Sequence, residues 1–135
     1  MEDIIISEIQ ALHQFFQDWF TGSIAETEAN FARVTSVLHP HFCLVAPDGQ
    51  LSDRATVLSW IWKGYGTRPD FQLWAEQTVL RHRTNQLALA TYEEWQQTPG
   101  SQTVRLSSAL FQRRLDAPHG VEWLHVHETW LRPPL

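Results

Sequence analysis

His125 and His127 sit two residues apart near the end of the chain, in the run Val121–Leu131. That spacing puts both imidazoles on one face of a β-strand, and imidazole exchanges protons near neutral pH. Two further groups complete a catalytic vocabulary: Tyr92 and Glu94 on one run, Arg105 and Ser107 on the next. A carboxylate or histidine that abstracts a proton beside a carbonyl, with a donor for the developing oxyanion, is the chemistry of isomerases and dehydratases. Glu94, His125 and His127 are the candidate bases. Tyr92 and Arg105 are the candidate donors, and Ser107, Trp60 and Trp123 join them as candidate ligand-binding residues. The same residues also admit a plain structural account, in which Glu94 and Arg105 form a cross-strand ion pair and the histidines are hydrogen-bonded at the edge of the core.

His39 and His41 repeat the two-residue spacing, yet no third ligand accompanies either pair in a tight motif, so neither a metal nor a cofactor is implied. Cys43 is the lone cysteine and lies in an apolar run. It excludes an intrachain disulfide and is expected to be buried and inert. His82 and His119 read as surface turn residues.

These residues need a scaffold, and the composition bounds it. At 135 residues, 43% hydrophobic with seven Trp and seven Phe, the chain suits one domain over 1–135 with an aromatic-rich core. The net charge is -5 and the ten basic residues form no run, which argues against a nucleic-acid partner. The N-terminus lacks the basic segment and long apolar stretch of a signal peptide, and no window is apolar enough to span a membrane. A cytoplasmic protein is expected.

Apolar residues recur at helical spacing from Ile4 to Phe20, where Thr21-Gly22-Ser23 stops them. A second helix is predicted from Ala25 to Leu38, ending before Pro40. Phe42 to Ala46, the turn Pro47-Asp48-Gly49 and Gln50-Leu51 read as a small hairpin. Ser52 or Asp53 can cap a third helix to about Lys63. Four extended runs follow, Phe71 to His82, Gln86 to Gln97, Thr103 to Leu115 and Val121 to Leu131, separated by turn signals. Helices first and a strand meander last predict an α+β fold with the helices on one face of an antiparallel sheet.

Turn geometry suggests a register. Pairing Gln97 with Gln102 sets Glu94 opposite Arg105, Tyr92 opposite Ser107 and Ala90 opposite Ala109. Pairing Leu115 with Val121 sets Ala109 opposite His127 and Phe111 opposite His125. One face then gathers Tyr92, Glu94, Arg105, Ser107, His125, His127 and Thr129 above small alanines. The other gathers Leu87, Leu89, Trp95, Leu106, Leu110, Leu124, Val126 and Trp130. The first is expected to form a pocket with the helices, and the second to pair with another copy as a homodimer. Composition alone favours the reverse, with the apolar face as core. One residue of slip exchanges the faces.

The His39-Pro40-His41-Phe42 approach to a strand that ends in Pro47-Asp48-Gly49 resembles the nuclear transport factor 2-like superfamily. So do the capped third helix closing on Tyr65-Gly66-Thr67-Arg68-Pro69 and the long meander. Ala88 to Tyr92 and Trp123 to Trp130 look like the paired central strands of its SnoaL-like and kinase-association-domain branches. The resemblance implies a cone-shaped fold with a pocket at its wide end and dimers built through the sheet. For function it implies a small-molecule-binding domain that acts as a lyase or isomerase on an apolar carbonyl compound, or else a non-catalytic dimerisation module. In the kinase-hub branch a strand Tyr and several Arg line the pocket. Tyr92 matches the Tyr, but Glu94 and Ala109 stand where Arg is expected, so the acidic ligand of that branch is not implied.

Overall fold

The computed structural model describes residues 1–135. Helix α1 (Glu2–Thr21) carries Ile5, Ile9, Leu12, Phe15 and Trp19 on its buried side, the stripe that the spacing predicted. It stops at Gly22, whose φ of 75° is the left-handed conformation glycine adopts without strain. Gly22 N–H donates to Trp19 O and Ser23 N–H to Asp18 O, the paired bonds of a Schellman closure.

Helix α2 spans only Glu28–Thr35, shorter than the expected Ala25 to Leu38. Its start is set by Thr27, whose hydroxyl accepts from Asn30 N–H. Its end is set by tertiary pairing: Trp123 N–H donates to Val37 O, and Leu38 already opens strand β1 (Leu38–Val45). Pro40 therefore lies inside a strand. It falls where the pairing of β1 shifts register, between Leu38 and Cys43, a place where a missing N–H is tolerated. Strand β2 (Leu51–Asp53) pairs back on β1 as the small hairpin expected. Asp53 then caps α3 (Arg54–Lys63), its carboxylate accepting from Thr56 N–H.

Strands β3 (Gln72–Arg83), β4 (Leu87–Thr98), β5 (Ser101–Arg113) and β6 (Val121–Arg132) form the antiparallel meander. The sheet has six strands in the order β2-β1-β6-β5-β4-β3, with β1 parallel to β6. That parallel pairing has no local signature in the sequence. Bulges in β3, one at Gln77 with φ 54°, add the twist that lets the sheet bend. The helices pack into its concave side over a core that includes Trp19, Phe111 and Trp123. This is the nuclear transport factor 2-like α+β cone.

The β4–β5 register is as the turn implied: Gln97 opposite Gln102, Glu94 opposite Arg105, Tyr92 opposite Ser107. The β5–β6 register is not. Arg113, not Leu115, pairs with Val121, and after Phe111 opposite Trp123 the ladder slips so that Leu110 meets His125. Leu124 is the extra residue, and a bulge of one residue exchanges the faces of everything beyond it. Ala109 thus faces Val126, Ser107 faces Glu128 and Ser108 faces His127. Val126 and Glu128 are buried, whereas His127 and Thr129 are exposed.

Candidate functional site

Between the sheet and the helices lies a cavity of about 130 Å³ with 21 lining residues, 15 of them hydrophobic. Its apolar wall includes Phe16 and Phe20 of α1, Trp60 and Ile61 of α3, Phe42 of β1, and Phe71 ahead of β3. Its polar end is a chain of paired groups. His13 Nδ1 lies 2.7 Å from Ile9 O and Nε2 lies 2.9 Å from Glu94 Oε1. Both neighbours are acceptors, so both ring nitrogens carry a proton in this geometry. Burial lowers the His13 pKa, but the hydrogen bond and charge of Glu94 outweigh it and leave the imidazole above its ordinary value.

Glu94 is the fixed anion of the set. Burial opposes its charge, yet His13, Arg105 and the amide of Gln96, which donates at 2.7 Å, hold its pKa down to about 2. Arg105 reaches further along the sheet, with Nη1 2.9 Å from Glu128 Oε1. Its guanidinium also lies 5.0 Å over the Trp130 ring, and its buried Nε has no hydrogen-bond partner. Glu128 behaves oppositely to Glu94. Burial and then the Glu94 charge push it up to about 7, against the pull of Arg105. The Tyr92 hydroxyl is driven well above its usual value by burial and by both carboxylates, so it stays a proton donor.

The structure thus gathers Tyr92, Glu94, Arg105, Trp60 and Trp123 around one cavity. Ser107 is fully buried beneath them, outside the lining and opposite Tyr92 on the neighbouring strand. His125 and His127 are carried to the opposite face by the Leu124 bulge. There His125 Nδ1 lies 2.9 Å from Cys43 Sγ and His127 is exposed. Cys43 accordingly has a histidine neighbour that its local sequence did not suggest, and it is only half-buried.

His13 and Glu128 were missed. The Ile5, Ile9 and Leu12 pattern should have flagged His13, one turn beyond Ile9 and so on the apolar face. By alternation Glu128 falls with Val126 on the other sheet face, and nothing in the sequence signals the bulge that turns both inward. Glu8 was missed for the same reason as His13. It is fully buried, taking Arg33 Nη2 at 2.8 Å, His119 Nδ1 at 3.0 Å and Trp123 Nε1 at 2.9 Å. His119 is thereby a hydrogen-bond partner of Glu8 on α1, not a free surface residue. This second cluster ties α1 to α2 and β6 and orients the Trp123 ring that walls the cavity.

Residues 6–132 match the family model described as sucrose-6-phosphate phosphohydrolase C-terminal. The chain belongs to this family. Among curated relatives, sucrose-phosphatase 2 of Nicotiana tabacum is 21% identical over 127 residues, covering 92% of this chain and 30% of that protein. Probable sucrose-phosphatase 2 of Arabidopsis thaliana is 22% identical over 125 residues, covering 91% and 29%. The chain therefore spans less than a third of the length of these relatives. Among solved structures, an NTF-2 like protein of unknown function from Pseudomonas aeruginosa superposes with a TM-score of 0.79 at 22% identity, covering 89% of this chain and 92% of that one. The CaMKII hub of S. rosetta superposes with 0.64 at 11% identity, covering 89% and 94%. Likeness at these identities is likeness of fold, and function has to be argued from the site.

Proposed function

We propose that the concave cavity binds a small, largely apolar molecule with one carbonyl or hydroxyl oxygen, and that Glu128 exchanges a proton with it. The observation that carries this reading is the layout of the cavity: an aromatic and aliphatic wall converging on one contiguous chain, His13, Glu94, Arg105 and Glu128. A carboxyl near neutrality serves equally as acid and base, and Glu128 is pushed to about 7. Glu94, ionised throughout, keeps Arg105 and His13 in place. Tyr92 supplies a neutral donor for a developing oxyanion. In the relatives named sucrose-phosphatases a region like this chain belongs to a longer protein, and ligand binding is the role we assign to such a region.

Cyclohexanone is a suitable probe. It is expected to raise the Tm of the protein saturably, and exchange of its α-protons in D2O, followed by NMR, is expected to be faster with the protein than with buffer. Glu128→Gln should retain the Tm response and lose the exchange. No saturable Tm response from a panel of small cyclic ketones and alcohols would remove the binding reading; unchanged exchange in Glu128→Gln would remove the proton-transfer role.

A second reading concerns the outer sheet face. Val79, Leu87 and Leu106 are 37 to 38% exposed there, beside half-buried Leu89, Leu110 and Trp95. A cluster of exposed apolar side chains of this kind, with Thr91, Glu93 and Ser108 among them, fits an association surface, and we propose that it pairs two copies of the chain as a homodimer.

A further inference from the structure

A second cavity opens on the other side of the Arg105–Glu128 pair. It encloses about 430 Å³ and shares Leu44, Val57, Trp60, Arg105 and Glu128 with the inner one. Its character is different, because six of its 12 lining residues are polar or charged. Asp48, Gln50 and Ser52 come from the β1–β2 hairpin, Thr56 and Trp60 from α3, and Trp130 from β6. The hairpin is held in shape by Asp48, which accepts from Gln50 N–H at 3.0 Å. Trp60 is 57% exposed, although a tryptophan of this core-forming chain has every reason to be buried.

The chemistry of this cleft narrows its occupant. An apolar molecule would strand the amide, hydroxyl and carboxylate groups without partners. An anion would meet one arginine already paired to Glu128 and lying 3.9 Å from Glu94, with Asp48 as a further negative group. A neutral polyhydroxylated molecule satisfies both constraints. Its hydroxyls can donate to Asp48 and Glu128 and accept from Gln50, Ser52 and Thr56, while its C–H faces lie against indole rings. We propose that this outer cleft is a saccharide subsite that takes a neutral sugar and disfavours its phosphate ester. The proposal goes beyond the inner-cavity reading and does not depend on it.

The test uses the whole chain with 15N-labelled tryptophan, the Trp60 and Trp130 indole signals being assigned through Trp60→Phe and Trp130→Phe. Sucrose is expected to shift both signals saturably, with a Kd on the order of 1 mM. Sucrose-6-phosphate is expected to bind about tenfold more weakly or not at all. Gln50 is exposed and lies outside the inner cavity, so Gln50→Ala should weaken sucrose several-fold and leave the cyclohexanone response unchanged. Absence of a saturable sucrose shift overturns the proposal. So does a phosphate ester that binds as tightly as the neutral sugar, or a Gln50→Ala variant with unaltered sucrose affinity. A cyclohexanone failure alone touches only the inner cavity.

Discussion

Glu94 and Glu128 stand on neighbouring parts of one sheet face, share Arg105, and yet titrate at about 2 and about 7. Glu94 has His13, Gln96 and Arg105 around it, whereas Glu128 is held by a single hydrogen bond from Arg105 and feels the charge of Glu94. The consequence for stability follows from linkage. Glu128 has its folded pKa raised above the ordinary 4.5, so the stability it contributes is present below that value and is lost as pH rises through about 7. His13, raised above 6.5, acts in the same direction. Glu94 acts in the opposite one, contributing above 4.5 and losing that contribution as pH falls towards about 2. The unfolding free energy measured in urea should therefore decline from about pH 4.5 to about pH 7 through Glu128, and Glu128→Gln should remove about 3 kcal/mol of that decline. A variant with the same pH profile as the parent protein would show that Glu128 is not the group titrating.

At the level of elements, what could be read from the chain depended on whether the deciding interaction was local. Helix α1 was legible from its stripe, α3 from Asp53, and the β4–β5 register from the Pro99-Gly100 turn. The end of α2 was not, because Val37 and Leu38 are drawn into the sheet by Trp123, far along the chain. Nor was the β5–β6 register. The Leu124 bulge has no glycine or turn residue to announce it, and it decides whether His125 and His127 or Val126 and Glu128 face the cavity. Three of the cavity's polar residues, Tyr92, Glu94 and Arg105, were thus grouped by alternation and the β4–β5 turn, and the family resemblance pointed their face at the pocket; His13 and Glu128 required the fold. The junction of α3 with α1 carries its own prediction. A Cβ on Gly64 would come within 2.5 Å of Phe20 Cε1 and 2.8 Å of Cδ1, while the backbone φ of -80° suits any residue. Gly64→Ala should therefore act chiefly by displacing the Phe20 ring, which walls the inner cavity, with a milder contact to Ile61 O at 3.3 Å. A loss of about 1–3 kcal/mol, with a diminished cyclohexanone response, is expected by chemical denaturation and thermal shift. An alanine variant of unchanged stability would mean that α3 shifts freely against α1.

At the scale of the molecule, the bulge that buries Glu128 also determines what the outside of the sheet presents. His125, His127 and Thr129 replace Val126 and Glu128 there, so the outer face is a field of Val79, Leu87, Leu89, Leu106 and Leu110 set among Thr91, Glu93 and Ser108 and bordered by histidines. No helix of this chain is long and apolar enough to cross a membrane, and a field of this kind on a monomer surface is unfavourable to leave hydrated. Pairing two such faces about a two-fold axis covers both at once. Light scattering is expected to give twice the 15.7 kDa chain mass. Leu106→Glu tests the assignment, because Leu106 lies in the field opposite Glu93 and is 37% exposed. A second carboxylate there costs the monomer about 1 kcal/mol or less through cross-strand repulsion, whereas in the dimer it would be buried without a partner. The variant should be folded by circular dichroism, have the mass of a single chain, and keep its cyclohexanone response, since Leu106 is not in the cavity wall. A parent protein of single-chain mass at micromolar concentration, or a Leu106→Glu variant that still dimerises, would place the association surface elsewhere or remove it.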